Sequence, residues 1–165
     1  MNNKNIKIGF FGTPEYAVMT LEALHNAGFD IRFVVTMPDR PQGRKMIVTA
    51  PPAKVWGTEH SIPVIQPDSL KTPEIESQRK SYDCDVFVVI AYGKIIPENI
   101  LNIPKFKSLN IHGSLLPKLR GSCPIETAIL EDQKHTGVTI IRMDKEMDHG
   151  PIVAKRNGKW LALKE

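Results

Sequence analysis

The chain has 165 residues, 41% of them hydrophobic and 24% charged, with a net charge of +4 at neutral pH. That length and balance fit one ordinary globular domain with a real core and exclude a disordered or low-complexity chain. No apolar run approaches the roughly 18–20 residues of a membrane span, so no membrane contact is expected, and the mild basic bias is compatible with a polyanionic partner without requiring one.

The first residues, Met1 to Lys7, lead straight into a strand without a secretory h-region or cleavage site, so the expected compartment is cytoplasmic. Ile6–Phe11 (IKIGFF) is nearly all apolar, the pattern of a strand buried on both faces of a parallel sheet. Thr13-Pro14-Glu15 reads as a helix start, with Thr13 as cap, Pro14 at the first helical position and Glu15 complementing the helix dipole. Ala17, Leu21 and Leu24 recur at helical spacing, and Gly28 stops the helix. Ile31–Thr36 is a second strand. The polar stretch Pro38–Lys45 has three basic residues and two prolines; it reads as a solvated connector or as a stiffened basic finger for a phosphate backbone. Met46 follows with apolar company in Ile47 and Val48, which suggests packing. Ala53–Glu59 is expected as a helix, Pro63–Ile65 as a short strand, and a polar helical stretch runs on to Ser81.

Asp85–Ala91 (DVFVVIA) is another doubly buried strand, ended by Tyr92-Gly93. Ser108–Ile111 forms a strand, Cys123–Leu130 a helix behind Pro124, Gly137–Met143 a strand and Ile152–Ala154 one more. Strands alternating with helices predict an α/β fold, Rossmann-like, with a mostly parallel open sheet, right-handed crossovers and helices on both faces. There is no internal repeat and no interdomain linker. The two cysteines, Cys84 and Cys123, lack CxxC or zinc-like spacing and read as inert thiols.

The most informative stretch is Leu109-Asn-Ile-His-Gly-Ser-Leu-Leu-Pro117. Asn110 and His112 are two apart at the end of a strand, so both side chains leave the same face. Gly113 and Pro117 force a loop there, leaving an amide and an imidazole at the strand's carboxyl end, where open α/β sheets bind ligands. An imidazole can accept a proton and an amide N–H can stabilise an oxyanion. Met147-Asp-His-Gly150 offers Asp148 to orient that imidazole. The plainer alternative is that Asn110 and His112 hydrogen-bond the turn backbone and that Asp148 is a turn residue. A metal held by His112, Asp148 and His149 is disfavoured, because adjacent residues rarely both chelate and no distant third ligand stands out. Dinucleotide binding after the first strand is also disfavoured: Gly12-Thr13-Pro14 is not GxGxxG, and Glu15 would face a pyrophosphate.

Together, Gly12-Thr-Pro-Glu15, Pro38-Asp-Arg-Pro41 with Gly43-Arg44, Val89–Pro97, Asn110–Pro117, Arg120-Gly121, Pro124-Ile125, Thr136–Thr139 and Met147–Gly150 resemble, in order, the formyltransferase domain of the methionyl-tRNA formyltransferases, within the folate-dependent formyltransferases. The resemblance implies Asn110, His112 and Asp148 as catalytic residues, 10-formyltetrahydrofolate as formyl donor, and initiator methionyl-tRNA as acceptor, with no metal. It implies a folate pocket from Ala91, Tyr92, Gly93, Ile95, Ile96 and Pro97, from Ser114, Leu115, Leu116 and Pro117, and from the loop leading into Asp148. It places Arg40, Arg44 and Lys45 against tRNA, with Arg44 at the key basic position. It further implies that residues 1–165 are a shortened formyltransferase domain, without the family's C-terminal β-barrel, and that the residues after Lys155 depart from the pattern. Two other readings compete: a sugar-nucleotide or glycinamide ribonucleotide amine as acceptor, and a non-catalytic folate- or tRNA-binding remnant.

Overall fold

The computed structural model describes residues 3–72 and 80–159, with Lys4 and Lys159 described by backbone alone. The chain forms two compact units, Met1–Ser108 and Leu109–Glu165. In the first unit, strands β1 (Lys7–Gly12), β2 (Asp30–Val35), β5 (Val64–Ile65) and β6 (Val86–Ile90) lie in the order β5-β2-β1-β6, every neighbouring pair parallel. Their largely apolar sequences follow from burial on both faces: Phe10, Phe11, Phe33, Val34, Val35 and Phe87 have no exposed surface. Phe11 sits 6.0 Å from Phe33 and 5.2 Å from Phe87 between ring centroids, so edge-on and tilted aromatic contacts fill this core.

Helix α1 (Glu15–Asn26) follows β1 and buries Ala17 and Leu21. Pro14, expected inside the helix, is its N-cap residue, and the cap makes no side-chain hydrogen bond. Thr13 is therefore not a cap; its hydroxyl is used elsewhere. The helix ends as expected: Gly28 (φ 81°) donates to His25 O at 2.9 Å and Phe29 N–H to Leu24 O at 3.2 Å, the paired bonds that a left-handed glycine allows. Helix α2 (Pro52–Glu59) packs beside α1, where the Trp56 indole donates to Glu22 Oε1 at 2.7 Å.

The stretch read as a loop over Pro38–Lys45 is instead part of an antiparallel hairpin, β3 (Arg40–Gln42) with β4 (Ile47–Thr49), exposed at every strand position. Its turn is closed by Met46 N–H on Gly43 O at 3.1 Å. The prolines hid it, because a strand containing Pro41 reads as irregular until its edge position is known. The helical stretch expected up to Ser81 falls largely on residues 73–79, outside the described residues. A short helix, α3 (Glu98–Leu101), was not anticipated; it buries Ile100 and Leu101.

In the second unit, β7 (Ser108–His112), β8 (His135–Arg142) and β9 (Ile152–Lys159) are neighbours in that order and antiparallel, and α4 (Pro124–Leu130) lies between β7 and β8 in sequence. Ile152–Ala154 thus extends to Lys159. The α/β, Rossmann-like class with a mostly parallel sheet is as expected; the antiparallel pairs are those of the second unit and the hairpin. No described helix is long and apolar enough to cross a membrane.

Candidate active site

Three side chains converge within the second unit. β7 carries Asn110 and His112 on one face, and the loop after β8 carries Asp148. Asn110 Nδ2 donates to Asp148 Oδ1 at 3.0 Å, and Gly121 N–H donates to Asp148 Oδ2 at 2.9 Å. His112 Nδ1 lies 3.5 Å from the same Oδ2, with the two side chains 6% and 9% exposed. On the other side of the ring, Nε2 is 2.8 Å from Leu119 O. A carbonyl only accepts, so Nε2 carries a hydrogen. Both ring nitrogens thus face oxygen acceptors: a neutral ring satisfies one, an imidazolium both. Asp148 in turn has each oxygen engaged, which is what a buried carboxylate requires.

The loops that deliver these groups are built against backbone preference. Asp148 (φ 49°) and Leu119 (φ 55°) both adopt left-handed backbone, a conformation costing on the order of 1–3 kcal/mol that persists only when the surroundings enforce it. Gly150 shows one such constraint. A Cβ there would overlap the Arg142 carbonyl, so only glycine lets the Asp148 loop close onto β8. Around the 114–119 loop, the fully buried Thr139 hydroxyl donates to Ser114 O at 2.7 Å and accepts from Leu116 N–H at 3.1 Å. Ser114 Oγ donates to Lys118 O at 2.6 Å, and Lys155 Nζ donates to Leu116 O.

Leu119, Gly121, Thr139 and Lys155 were given no role from sequence. Two of them act through main-chain atoms, which any residue type supplies. The one legible hint was Thr139, a polar residue alternating with apolar ones in a strand.

The residues expected at a folate pocket divide between the units. In the first, Ala91 (φ 45°) and Gly93 (φ 96°) turn the chain sharply after β6. Tyr92 and Ile96 are buried, Gly93 and Ile95 exposed, and Ala91 and Pro97 half-buried. The Tyr92 ring meets Phe11 edge-on, 5.7 Å between centroids. Thr13, freed from capping, spends its hydroxyl here, donating to Tyr92 O at 2.8 Å; its own carbonyl accepts from Ala53 N–H at 3.3 Å. Thr13 therefore ties the β1 exit to the 91–97 loop and to the first turn of α2. In the second unit, Ser114 and Leu116 are buried, Leu115 is half-buried and Pro117 is exposed. Arg40, Arg44 and Lys45 all stand exposed on the hairpin. Among the described residues, no cluster of three or more His, Cys, Asp or Glu is placed to hold a metal.

Comparison with known proteins decides the family. A model described as formyl transferase matches residues 4–162. The chain belongs to the formyl transferase family. A methionyl-tRNA formyltransferase of Nitrosomonas eutropha is 46% identical over 151 residues, 92% of this chain and 48% of that protein. One from Chloroflexus aggregans is 49% identical over 150 residues, 91% of this chain and 48% of its own length. The chain thus spans about half the length of the curated relatives it matches. Among solved structures, the phosphoribosylglycinamide formyltransferase of Bacillus halodurans superposes with a TM-score of 0.73 at 26% identity, covering 96% of this chain and 82% of that one. The family's fold therefore extends over both units.

Proposed function

We propose that this chain carries the formyl-transferring site of a methionyl-tRNA formyltransferase, moving a formyl group from 10-formyltetrahydrofolate to the α-amine of initiator methionyl-tRNA. The observation that carries the reading is the part-buried Asn110–Asp148–His112 cluster, with Asp148 held at both oxygens. The similarity to tRNA-formylating relatives and the exposed basic hairpin support the acceptor. The neutral α-amine attacks the formyl carbon, a C–N bond forms, and the carbonyl electrons move onto oxygen. Asn110 spends one amide N–H on Asp148 and keeps the other for that oxyanion. Asp148 orients His112 and compensates its positive form as the ring takes a proton from the attacking amine. Because Nε2 points its hydrogen at Leu119 O, the ring takes the proton only after it leaves that carbonyl and shifts its hydrogen to Nδ1, where Asp148 Oδ2 accepts it. Collapse then breaks the bond from carbon to N10, and the proton ends on N10, so no net proton is consumed.

The test is formyl transfer with enzyme in excess over methionyl initiator tRNA, so that weak RNA binding does not mask the chemistry. Product that is lost with His112→Ala supports the reading. No product from folded protein that still binds the folate overturns it.

A second acceptor is a small amine, because the structure also superposes on a phosphoribosylglycinamide formyltransferase with a TM-score of 0.73 at 26% identity. Salt separates the two: a tRNA acceptor predicts log affinity falling with log salt by about 0.7–0.9 per phosphate contacted, a small amine almost no change.

A further inference from the structure

Asp39 lies at the foot of the basic hairpin, one residue before β3, and it accepts three side-chain hydrogen bonds from two residues. Lys54 Nζ, from the first turn of α2, donates to its Oδ1 at 2.9 Å and its Oδ2 at 2.7 Å. Gln66 Nε2, just past β5, donates to Oδ1 at 2.7 Å and also to Met37 O at 2.8 Å. The same exit from β5 is gripped on its far side, where Lys94 Nζ from the 91–97 loop donates to Pro67 O at 3.0 Å and Asp68 O at 2.8 Å. The Lys54 ammonium, and after it the Gln66 amide, hold the Asp39 carboxyl below the usual carboxylate range. All three groups are only partly exposed, unlike the hairpin that extends beyond them.

The contrast within this short stretch is informative. Every residue of β3 and β4 is exposed, and a lone two-stranded hairpin is at best marginally stable in water. Its direction must be set at its base. The base is where the charge-assisted bonds gather, and such bonds are the stronger, geometrically selective class. We propose that Asp39 is a positioning residue for the acceptor: clamped by Lys54 and Gln66, it aims the Arg40–Thr49 hairpin, and with it Arg44 and Lys45, without itself touching RNA. The proposal rests on the reading of the hairpin as the tRNA-facing element.

Two readouts test it on the full chain. The first is trypsin cleavage after Arg44 and Lys45, which follows hairpin mobility and needs no activity. Asp39→Asn keeps size and hydrogen-bonding capacity but loses the charge, and Lys54→Met removes the partner from the other side. Both variants are expected to be cut faster than the native chain, with only a small fall in Tm. The second readout is formyl transfer with excess enzyme. Each variant should raise the half-saturating enzyme concentration by about tenfold, the scale of one charge-assisted hydrogen bond, and leave the saturating rate constant unchanged. Asp39→Glu should restore part of the affinity. Cleavage at the native rate overturns the clamp. Faster cleavage with unchanged half-saturation, in a background where Arg44→Ala does raise it, overturns the positioning role. If Arg44→Ala also has no effect, the hairpin is not the acceptor element; the aiming role then falls with that reading, and the trypsin result stands alone on the clamp.

Discussion

The two units solve burial in opposite ways. In the first, the interior is largely apolar, with Phe10, Phe11, Phe33 and Phe87 at its centre, and the Thr13 hydroxyl meets Tyr92 O and Thr36 at the strand exits. In the second, Leu116, Ala128 and Ile141 are the buried apolar residues, and they are matched by the buried polar residues His112, Ser114 and Thr139. A core of the first kind is stabilised by area removed from water and tolerates no polar intrusion. A core of the second kind is stable only because each polar group has a partner, which makes it rigid in detail and costly to disturb. The lesson is a division of labour: the first unit provides thermodynamic weight, and the second holds reactive groups in place.

The sharpest way to break this comparison is one substitution in each unit. Phe11→Ala should destabilise the fold by about 3–5 kcal/mol, the range for truncating a buried aromatic, read as a lower urea midpoint. Asn110→Ala should cost about 2.7–4 kcal/mol of transition-state stabilisation, read as a fall of about 10²–10³ in the single-turnover rate constant, with a smaller fall in the urea midpoint from the Asp148 oxygen it leaves unpaired. A variant at Asn110 with full turnover would remove the oxyanion role.

Gly150→Ala tests rigidity in the second unit without touching a reacting group. The added methyl overlaps the Arg142 carbonyl, so the Asp148 loop must shift, and a displacement near 1 Å should lower the rate constant by about 10²-fold. Native kinetics from that variant would show that the loop has slack.

A smaller effect separates the units through their thiols. Burial pushes the Cys84 thiol up to about 12, whereas Cys123 is exposed. A maleimide should label Cys123 in the native chain and Cys84 only when the first unit opens. Mass spectrometry of labelled peptides against urea concentration then reports the first unit alone.

The smallest effect is on the acid side. Three carboxyls are held below their ordinary value: Asp83 by the Lys7 ammonium, Asp39 by Lys54 and Gln66, and Asp144 by the Glu146 backbone N–H. A lowered folded pKa means that the unfolded chain binds protons first. Stability from these groups is therefore intact above an unfolded carboxyl pKa of about 4 and is lost as pH falls through the lower folded values. Urea midpoints between neutral pH and the acid limb should be flat down to about pH 4 and then decline. A midpoint that falls well above that pH would point to other groups.

Much of the fold was legible because it rests on local pattern. The nearly all-apolar runs at β1 and β6 carry the pattern of interior strands of a parallel sheet, and Gly28 marks its helix end by the one backbone conformation it alone adopts cheaply. The site was half legible. Asn110 and His112 share a face through the period of two that any strand imposes. Asp148, 38 residues after Asn110, was offered as a partner by its residue type and given its catalytic place by the family resemblance, since no spacing links it to the strand.

What the sequence by itself determined is thus the α/β class, the strand cores and the residue types available for chemistry, because these depend on composition and short periodicity. Only the tertiary structure decided what those residues do to one another. It turned Thr13 from a helix cap into a tie on the 91–97 loop, and Pro38–Lys45 from a connector into the base and turn of a hairpin anchored at Asp39. It placed His112 between a carboxylate and the Leu119 carbonyl. The physical reason is common to all three: each outcome rests on a polar contact between residues that are not sequence neighbours, often through a main-chain atom, and main-chain donors and acceptors are the same at every position until folding selects which of them meet.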